Sequence, residues 1–205
     1  FFVRTAAVSV ENTHNFAGGT VLPMGDLRDL RELADGAGIA VHVDGARLWN
    51  AHVATGTPLA EYGAVADTMA VCLSKGLGAP VGSLMVGSAD AIAEARVRRK
   101  RMGGGMRQVG ILAAAGRHAL DHHMDRLADD HEHAALLAEA CGVDPAGVDT
   151  NIVVVPQDDA SGFVARAAEA GVRVSAVGPR TVRLVTHLGV DRAAAEKAAA
   201  VLAGL

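Results

Sequence analysis

The sequence predicts an α/β fold, a mostly parallel sheet clad in helices, with a smaller α+β unit after it. Three observations carry this expectation. Strand-like runs alternate with helical patterns through the first hundred residues, and those runs are almost continuously apolar. A Gly103-Gly104-Gly105 break then precedes a long helical stretch and a set of short strands. Near-continuous apolar strands separated by helices indicate a parallel sheet buried on both faces. The expected domains are residues 1–105 and 106–205.

Residues 5–10 (TAAVSV) are short and β-compatible, and the polar run Glu11-Asn12-Thr13-His14-Asn15 ends them. Glycines 18, 19 and 25 and Pro23 make the next stretch a loop. Asp26 is suited to cap a helix whose apolar positions Leu27, Leu30, Leu33, Ala34 and Ala37 keep helical spacing, with Gly36 and Gly38 at its end. Residues 39–43 read as a buried strand closing on Asp44-Gly45-Ala46-Arg47, and residues 47–53 as a short helix. Residues 58–62 are a further turn or helix, 68–73 a strand, 84–86 another, and 89–100 a helix. Residues 108–140, apolar and Ala-rich at first and carrying charge and histidines in the middle, read as one long helix. Residues 149–156 predict a strand, 161–170 a helix stopped by Gly171, 172–177 and 181–186 two strands around a Gly178-Pro179 turn, and 192–202 a terminal helix.

Composition narrows the function. The chain has 205 residues, half of them hydrophobic, so it can bury a substantial core. A net charge of -4 argues against nucleic-acid binding through global charge. No apolar run approaches the roughly 18 residues of a membrane span, so no membrane partner is expected. Cys72 and Cys141 lie far apart and outside any CxxC, which fits a reducing cytoplasm. The start, Phe-Phe-Val-Arg, has neither a basic leader region nor a cleavage site, and it lacks an initiating Met. The chain is therefore expected to be processed or to be a fragment of a longer protein.

The most informative stretch is residues 70–83, AVCLSKGLGAPVGS. An apolar strand stops at Ser74-Lys75, and glycines 76, 78 and 82 follow. Glycines remove side-chain bulk, so a flat ligand could approach the backbone there. A lysine at such a strand exit is expected to be partly desolvated, which lowers its pKa and exposes a nucleophilic amine. Asp44, 31 residues earlier, closes a neighbouring strand. Open parallel sheets bind ligands at the carboxyl ends of their strands. An acid there needs a partner, either Arg47 or a cationic ring nitrogen. An amine nucleophile together with an acid able to hold a pyridinium nitrogen is the protein half of pyridoxal phosphate chemistry.

Other signals carry less. The basic run Arg96, Arg98, Arg99, Lys100 and Arg101 contains no stacking aromatic and reads as a solvated helix end beside an interface or a phosphate. His118 and His122 share a helix face, but acids are interspersed and no HExxH pattern occurs, so no metal is expected. His14 reads as a structural hydrogen-bonder, Cys72 as a small core residue, and Met102 and Met106 as interface or core fillers.

Five segments together resemble the low-specificity threonine aldolase family. They are Glu11-Asn12-Thr13-His14-Asn15, residues 42–47 (HVDGAR), residues 73–83 (LSKGLGAPVGS), residues 103–108 (GGGMRQ) and residues 182–187 (VRLVTH), in the family's order across almost the whole chain. The resemblance implies an aspartate-aminotransferase-like (fold type I) large domain, of which this chain holds the carboxyl-terminal half, plus the small carboxyl-terminal domain. It implies pyridoxal 5'-phosphate carried by Lys75, with Ser74 beside it and Asp44 on the ring nitrogen. Arg47 is expected near the cofactor phenolate or the substrate carboxylate. Arg183 is expected on the amino-acid carboxylate, the usual task of a bidentate arginine. Arg107 is expected near the cofactor phosphate, beside a nest of glycine amides. The implied reaction cleaves threonine, allo-threonine and related β-hydroxy-α-amino acids to glycine and an aldehyde, in a homo-oligomer.

The resemblance begins partway into the family's sequence. The stretch that holds the family's phosphate loop and ring-stacking side chain has no counterpart here, and the histidine linked to the base step would fall on Phe1 or Phe2. Two other readings stay open: another fold-type-I enzyme such as a β-eliminating lyase, and a non-catalytic homologue that associates with itself or a longer paralogue.

Overall fold

The computed structural model describes residues 3–205 and divides into two compact units. The first comprises the chain up to Thr13 together with Leu22–Met124, and the second His14–Val21 with Asp125–Leu205. The division therefore falls between Met124 and Asp125, and the glycine run at 103–105 lies inside the first unit.

The first unit runs β1 (Ala7–Glu11), α1 (Met24–Ala37), β2 (Ala40–Gly45), α2 (Leu48–Thr55), α3 (Leu59–Ala64), β3 (Thr68–Cys72), β4 (Ser83–Gly87), α4 (Ala89–Arg101) and α5 (Gly110–His122). Its sheet has the order β1-β2-β3-β4, with β1, β2 and β3 parallel and β4 antiparallel to β3. Val41, Val43, Met69 and Val71 are buried, while the alternate positions His42, Ala70 and Cys72 are half-buried. Among the described residues, then, one face of β2 and β3 is fully closed and the other is partly open, where the sequence predicts closure on both. All five residues of β4 are exposed.

Helix α1 starts at Met24 behind Pro23, so Asp26 lies in its first turn instead of capping it. An acid there complements the positive end of the helix dipole. Leu27 and Ala34 are buried and Leu33 is exposed, so the apolar stripe is narrower than its spacing indicates. Asp67, just before β3, accepts the Val41 N–H at 2.7 Å and an Arg31 guanidinium N–H at 2.7 Å. These two bonds, the backbone one foremost, hold its carboxyl below the usual carboxylate range and tie α1, β2 and β3 together.

The second unit contains α6 (Leu127–Ala140), β5 (Ile152–Pro156), α7 (Ala160–Glu169), β6 (Ser175–Gly178), β7 (Thr181–Val185) and α8 (Arg192–Leu202). Its antiparallel sheet has the order β5-β7-β6. Val153, Val155, Val182 and Leu184 form one core with Ala134 and Leu137 of α6, Phe163 of α7 and Leu202 of α8. Asp159 and Asp191 cap α7 and α8 by accepting the N–H of Gly162 and of Ala194. Asp130 is fully buried; burial pushes its carboxyl up, while its ion pair with Arg126 pulls the other way.

The long helix expected over residues 108–140 is two helices, α5 and α6, with a break at residues 123–126. The break lies where the His123 ring donates from Nδ1 to the Leu77 carbonyl at 2.7 Å, a contact 46 residues away in sequence. Among the described residues no helix is long and apolar enough to cross a membrane.

His131 on α6 yields a pH prediction. Burial lowers its pKa from 6.5 to about 4. The folded chain keeps this imidazole neutral, while the unfolded chain takes up a proton as pH falls through its ordinary value, so stability falls between about pH 6.5 and 4. Urea unfolding at pH 7, 5.5 and 4.5 is expected to show a smaller acid-side loss in His131→Gln than in the parent.

Candidate active site

The candidate site starts at the carboxyl ends of β2 and β3. These strands are hydrogen-bonded neighbours in parallel register, with Asp44 opposite Ala70 and Gly45 opposite Val71. Asp44 is the penultimate residue of β2, and Ser74 and Lys75 come just after β3, past Leu73. The fold therefore delivers the carboxylate and the amine to one edge of one sheet. Both side chains are exposed, as is Ser74. The expected desolvation of Lys75 is not found in this chain. The lysine stands outside the apolar packing because its neighbours Leu73 and Leu77 take the buried positions.

The loop after β3 is closed by its own backbone. The Leu73 N–H donates to the Gly82 carbonyl at 2.8 Å, the Ala79 N–H to the Leu73 carbonyl at 3.0 Å, and the Gly78 N–H to the Lys75 carbonyl at 2.9 Å. Gly78 has a φ of 72°, a left-handed turn that a side chain would strain. The contact from His123 to the Leu77 carbonyl fixes the far side of this turn. A carbonyl only accepts, so His123 Nδ1 carries the proton.

Asp44 accepts the Ala46 N–H on Oδ1 at 3.1 Å, which forms the turn leading into α2. Arg47 occupies the N-cap position of that helix and is half-buried. Trp49 donates its indole N–H to the Cys72 carbonyl at 2.8 Å, pinning the start of α2 to the end of β3. Cys72 is half-buried.

Sequence reasoning took Asn12 as part of a polar run ending a strand and of a segment resembling the family, with no role of its own. Its backbone N–H donates to the Asp44 carbonyl at 2.9 Å, and its Oδ1 accepts the Leu22 N–H at 3.1 Å. The side chain is fully buried, and among the described residues its Nδ2 has no hydrogen-bond partner. A buried donor without a partner costs about 1–3 kcal/mol. The sequence signal for it was a polar residue placed directly at a strand end.

Arg107 and the glycine run follow α4. The nest expected there is not formed. The Gly103 N–H donates to the Lys100 carbonyl, the Gly104 N–H to the Arg99 carbonyl and the Gly105 N–H to the Gly103 carbonyl, so all three amides are already used. Arg107 is exposed, and any anion contact there rests on its side chain alone. Met102 and Met106 are 88% and 66% exposed, so neither fills the core. His118 and His122 do share a face, their ring centroids 4.5 Å apart. No group of three or more metal-ligating side chains occurs among the described residues.

Arg183 belongs to the second unit, on the central strand β7. Its Nη1 donates to Asn15 Oδ1 at 2.9 Å, and its Nε is buried without a partner among the described residues. His14 accepts the Ala17 N–H on Nδ1 at 3.0 Å, a structural bond that shapes the same segment. The position linked to the base step, Phe1-Phe2, lies outside the described residues.

Comparison with known proteins gives a consistent picture. A family model described as "Beta-eliminating lyase" matches residues 1–160. A curated relative from Escherichia coli O157:H7, described as "Low specificity L-threonine aldolase", is 46% identical over 198 residues, covering 93% of this chain and 57% of the relative. The chain thus spans little more than half the length of that relative. Among solved structures, a putative L-allo-threonine aldolase from Listeria monocytogenes EGD-E superimposes with a TM-score of 0.79 at 20% identity, covering 97% of this chain and 61% of that one. An N-acetylornithine aminotransferase from Stenotrophomonas maltophilia K279a gives a TM-score of 0.67 at 20% identity, covering 97% of this chain and 55% of that one. These structural likenesses establish the fold, and the aspartate-aminotransferase-like architecture expected from the sequence is met.

The His123 tether yields a second prediction. His123→Ala removes one hydrogen bond to the lysine loop, worth about 0.5–1.5 kcal/mol. Amide exchange at residues 76–79 is expected to accelerate by roughly the corresponding factor, with exchange in β5 and β7 unchanged.

Proposed function

The chain belongs to the beta-eliminating lyase family, whose model spans its first 160 residues, and we propose that its protein is a pyridoxal phosphate-dependent aldehyde-lyase. The substrates are threonine, allo-threonine and related β-hydroxy-α-amino acids, cleaved to glycine and an aldehyde. One observation carries the reading: an exposed amine and an exposed carboxylate stand at the carboxyl ends of neighbouring parallel strands, at the same edge of one sheet.

These residues fit the cofactor. Lys75 supplies an accessible amine able to bond an aldehyde group. Asp44 supplies the anion that keeps a ring nitrogen protonated. The orphaned Asn12 amide beside Asp44 supplies a donor suited to a ring or substrate oxygen. When bound, the cofactor provides an electron-poor ring that accepts the pair released as Cα–Cβ breaks.

The remaining work falls to side chains of the chain. With the cofactor bound, Asp44 would present its carboxylate to the ring nitrogen, because its position is fixed by β2 and the Ala46 turn. Fixed charge of this kind costs no reorganisation during reaction. Arg183 takes the α-carboxylate, and its unpartnered Nε is the donor left for it. Arg47 lies three residues after Asp44 and would hold the cofactor phenolate or the same carboxylate. Ser74 and Arg107 serve the phosphate. The protein acts as a homo-oligomer, for which the exposed Met102, Met106 and Ile111 offer apolar surface. Its two unpaired cysteines fit a cytoplasmic setting.

The test combines spectroscopy with product analysis. The purified chain with added pyridoxal phosphate is expected to show a visible band. Borohydride should abolish that band and leave the label on Lys75, and Lys75→Ala should show neither effect. Absence of the band in folded chain would overturn cofactor binding at Lys75. Incubation with threonine distinguishes the family's two chemistries: glycine and acetaldehyde support the aldehyde-lyase, whereas a keto acid and ammonia support β-elimination, the reaction in the family's own description. Asp44→Asn is expected to cut turnover by about a hundredfold or more, as loss of a fixed electrostatic partner does.

A further inference from the structure

The segment His14–Val21 leaves the first unit's chain and folds against the second. Its placement is tightly specified. Thr150 donates its buried hydroxyl to the Gly19 carbonyl at 2.6 Å, and the Val21 N–H donates to Asp149 at 2.9 Å. Within the segment, the Gly19 N–H donates to the His14 carbonyl at 2.8 Å and the His14 N–H to the Thr20 carbonyl at 3.0 Å. Gly18 and Gly19 have φ of 87° and 74°. A Cβ on Gly19 would lie 2.6 Å from Thr150 Oγ1, and one on Gly18 3.3 Å from Val154 Cγ2. Val154 is the cross-strand partner of Arg183. The segment therefore packs on the sheet face that carries Arg183, the face opposite Val182 and Leu184.

What this rigid segment presents to Arg183 is the Asn15 amide oxygen, 2.9 Å from Nη1. That contact occupies one arm of the guanidinium. Nε is buried without a partner, and no other side-chain hydrogen bond of Arg183 occurs among the described residues. The Nε–Nη2 edge is the fork that matches a carboxylate with two parallel hydrogen bonds. The chemistry of the Asn15 group also matters. A neutral amide oxygen orients the guanidinium without cancelling its charge. An aspartate in its place would orient it equally well, but would neutralise it and compete with an incoming carboxylate.

We propose that Asn15 is a positioning residue for carboxylate recognition: it holds Arg183 by Nη1 so that the Nε–Nη2 edge faces a carboxylate ligand with its full charge. This rests on the reading of Arg183 as the carboxylate partner and adds the residue that orients it.

The experiment follows the Arg183 Nε–H resonance in isotope-labelled chain with pyridoxal phosphate present, the resonance assigned by its loss in Arg183→Lys. The probes are glycine and glycinamide, which differ in the carboxylate alone. Glycine is expected to shift the resonance and glycinamide to leave it in place. Asn15→Asp is expected to weaken the glycine response at least tenfold while its thermal unfolding midpoint stays level or rises, an outcome that a purely structural asparagine would not produce. Asn15→Ala, which removes the acceptor without adding charge, must weaken glycine as well, and it carries the test should Asn15→Asp fail to fold. Parental glycine affinity in these variants overturns the role of Asn15 and leaves that of Arg183 standing. A parent chain whose Arg183 resonance ignores glycine overturns the carboxylate role of Arg183, and the proposal with it.

Discussion

The parallel pairing of β2 with β3 is the constraint on which the candidate chemistry depends. Parallel neighbours must be joined by a crossover, here α2 and α3, and both strands then end on the same side of the sheet. That requirement alone brings residues 31 positions apart, Asp44 and Lys75, to one edge. The register is fixed in turn by the alternation that buries Val41, Val43, Met69 and Val71. A slip of one residue would send this apolar set to the other face, so the pairing is strongly determined. The packing of four aliphatic side chains thus sets where a carboxylate and an amine emerge.

The second unit repeats the logic with a different outcome. On β7, Val182 and Leu184 are buried in the core with α6, α7 and α8. Period-two alternation leaves Arg183 on the opposite face. A guanidinium on a half-open face needs something to hold it. The chain supplies this from far away in sequence, through a segment kept in place by Thr150 and Asp149. Unit assignment therefore follows packing and not chain order: eight residues between β1 and α1 belong with a sheet more than a hundred positions downstream.

Much of this was legible in the sequence. Strand and helix alternation, the Asp44 and Lys75 strand ends, and the β5–β7 hydrophobic pattern all rest on local periodicity, and the structure has them at nearly the expected residues. The failures share a cause. The break between α5 and α6 answers to a carbonyl at Leu77, the half-open faces of β2 and β3 to what packs on them, and the orphaned amide of Asn12 to its burial beside Asp44. None of these is encoded within a window of a few turns. The glycine run misled for another reason. Composition shows that a nest is sterically permitted there, while the amides satisfy the carbonyls at the end of α4 instead.

The His123 contact shows how a long-range bond shapes the lysine's surroundings. Residues 108–140 favour a single helix on propensity, and nothing local forbids it. The cost of interrupting it is the loss of a few intrahelical bonds, partly offset because the His123 N–H still reaches the Ala119 carbonyl. What is gained is a donor on the Leu77 carbonyl, two residues past Lys75. A loop bearing a reactive amine has to be open enough for a ligand and rigid enough to hold the amine's origin in place. Here Leu73, Leu77 and Ala79 are buried as anchors, the loop's amides close on its own carbonyls, and His123 secures the turn from outside. His118 lies edge-on to His123 with ring centroids 5.3 Å apart, so the tethering ring is itself packed. The helix break is best understood as a consequence of fixing the lysine loop.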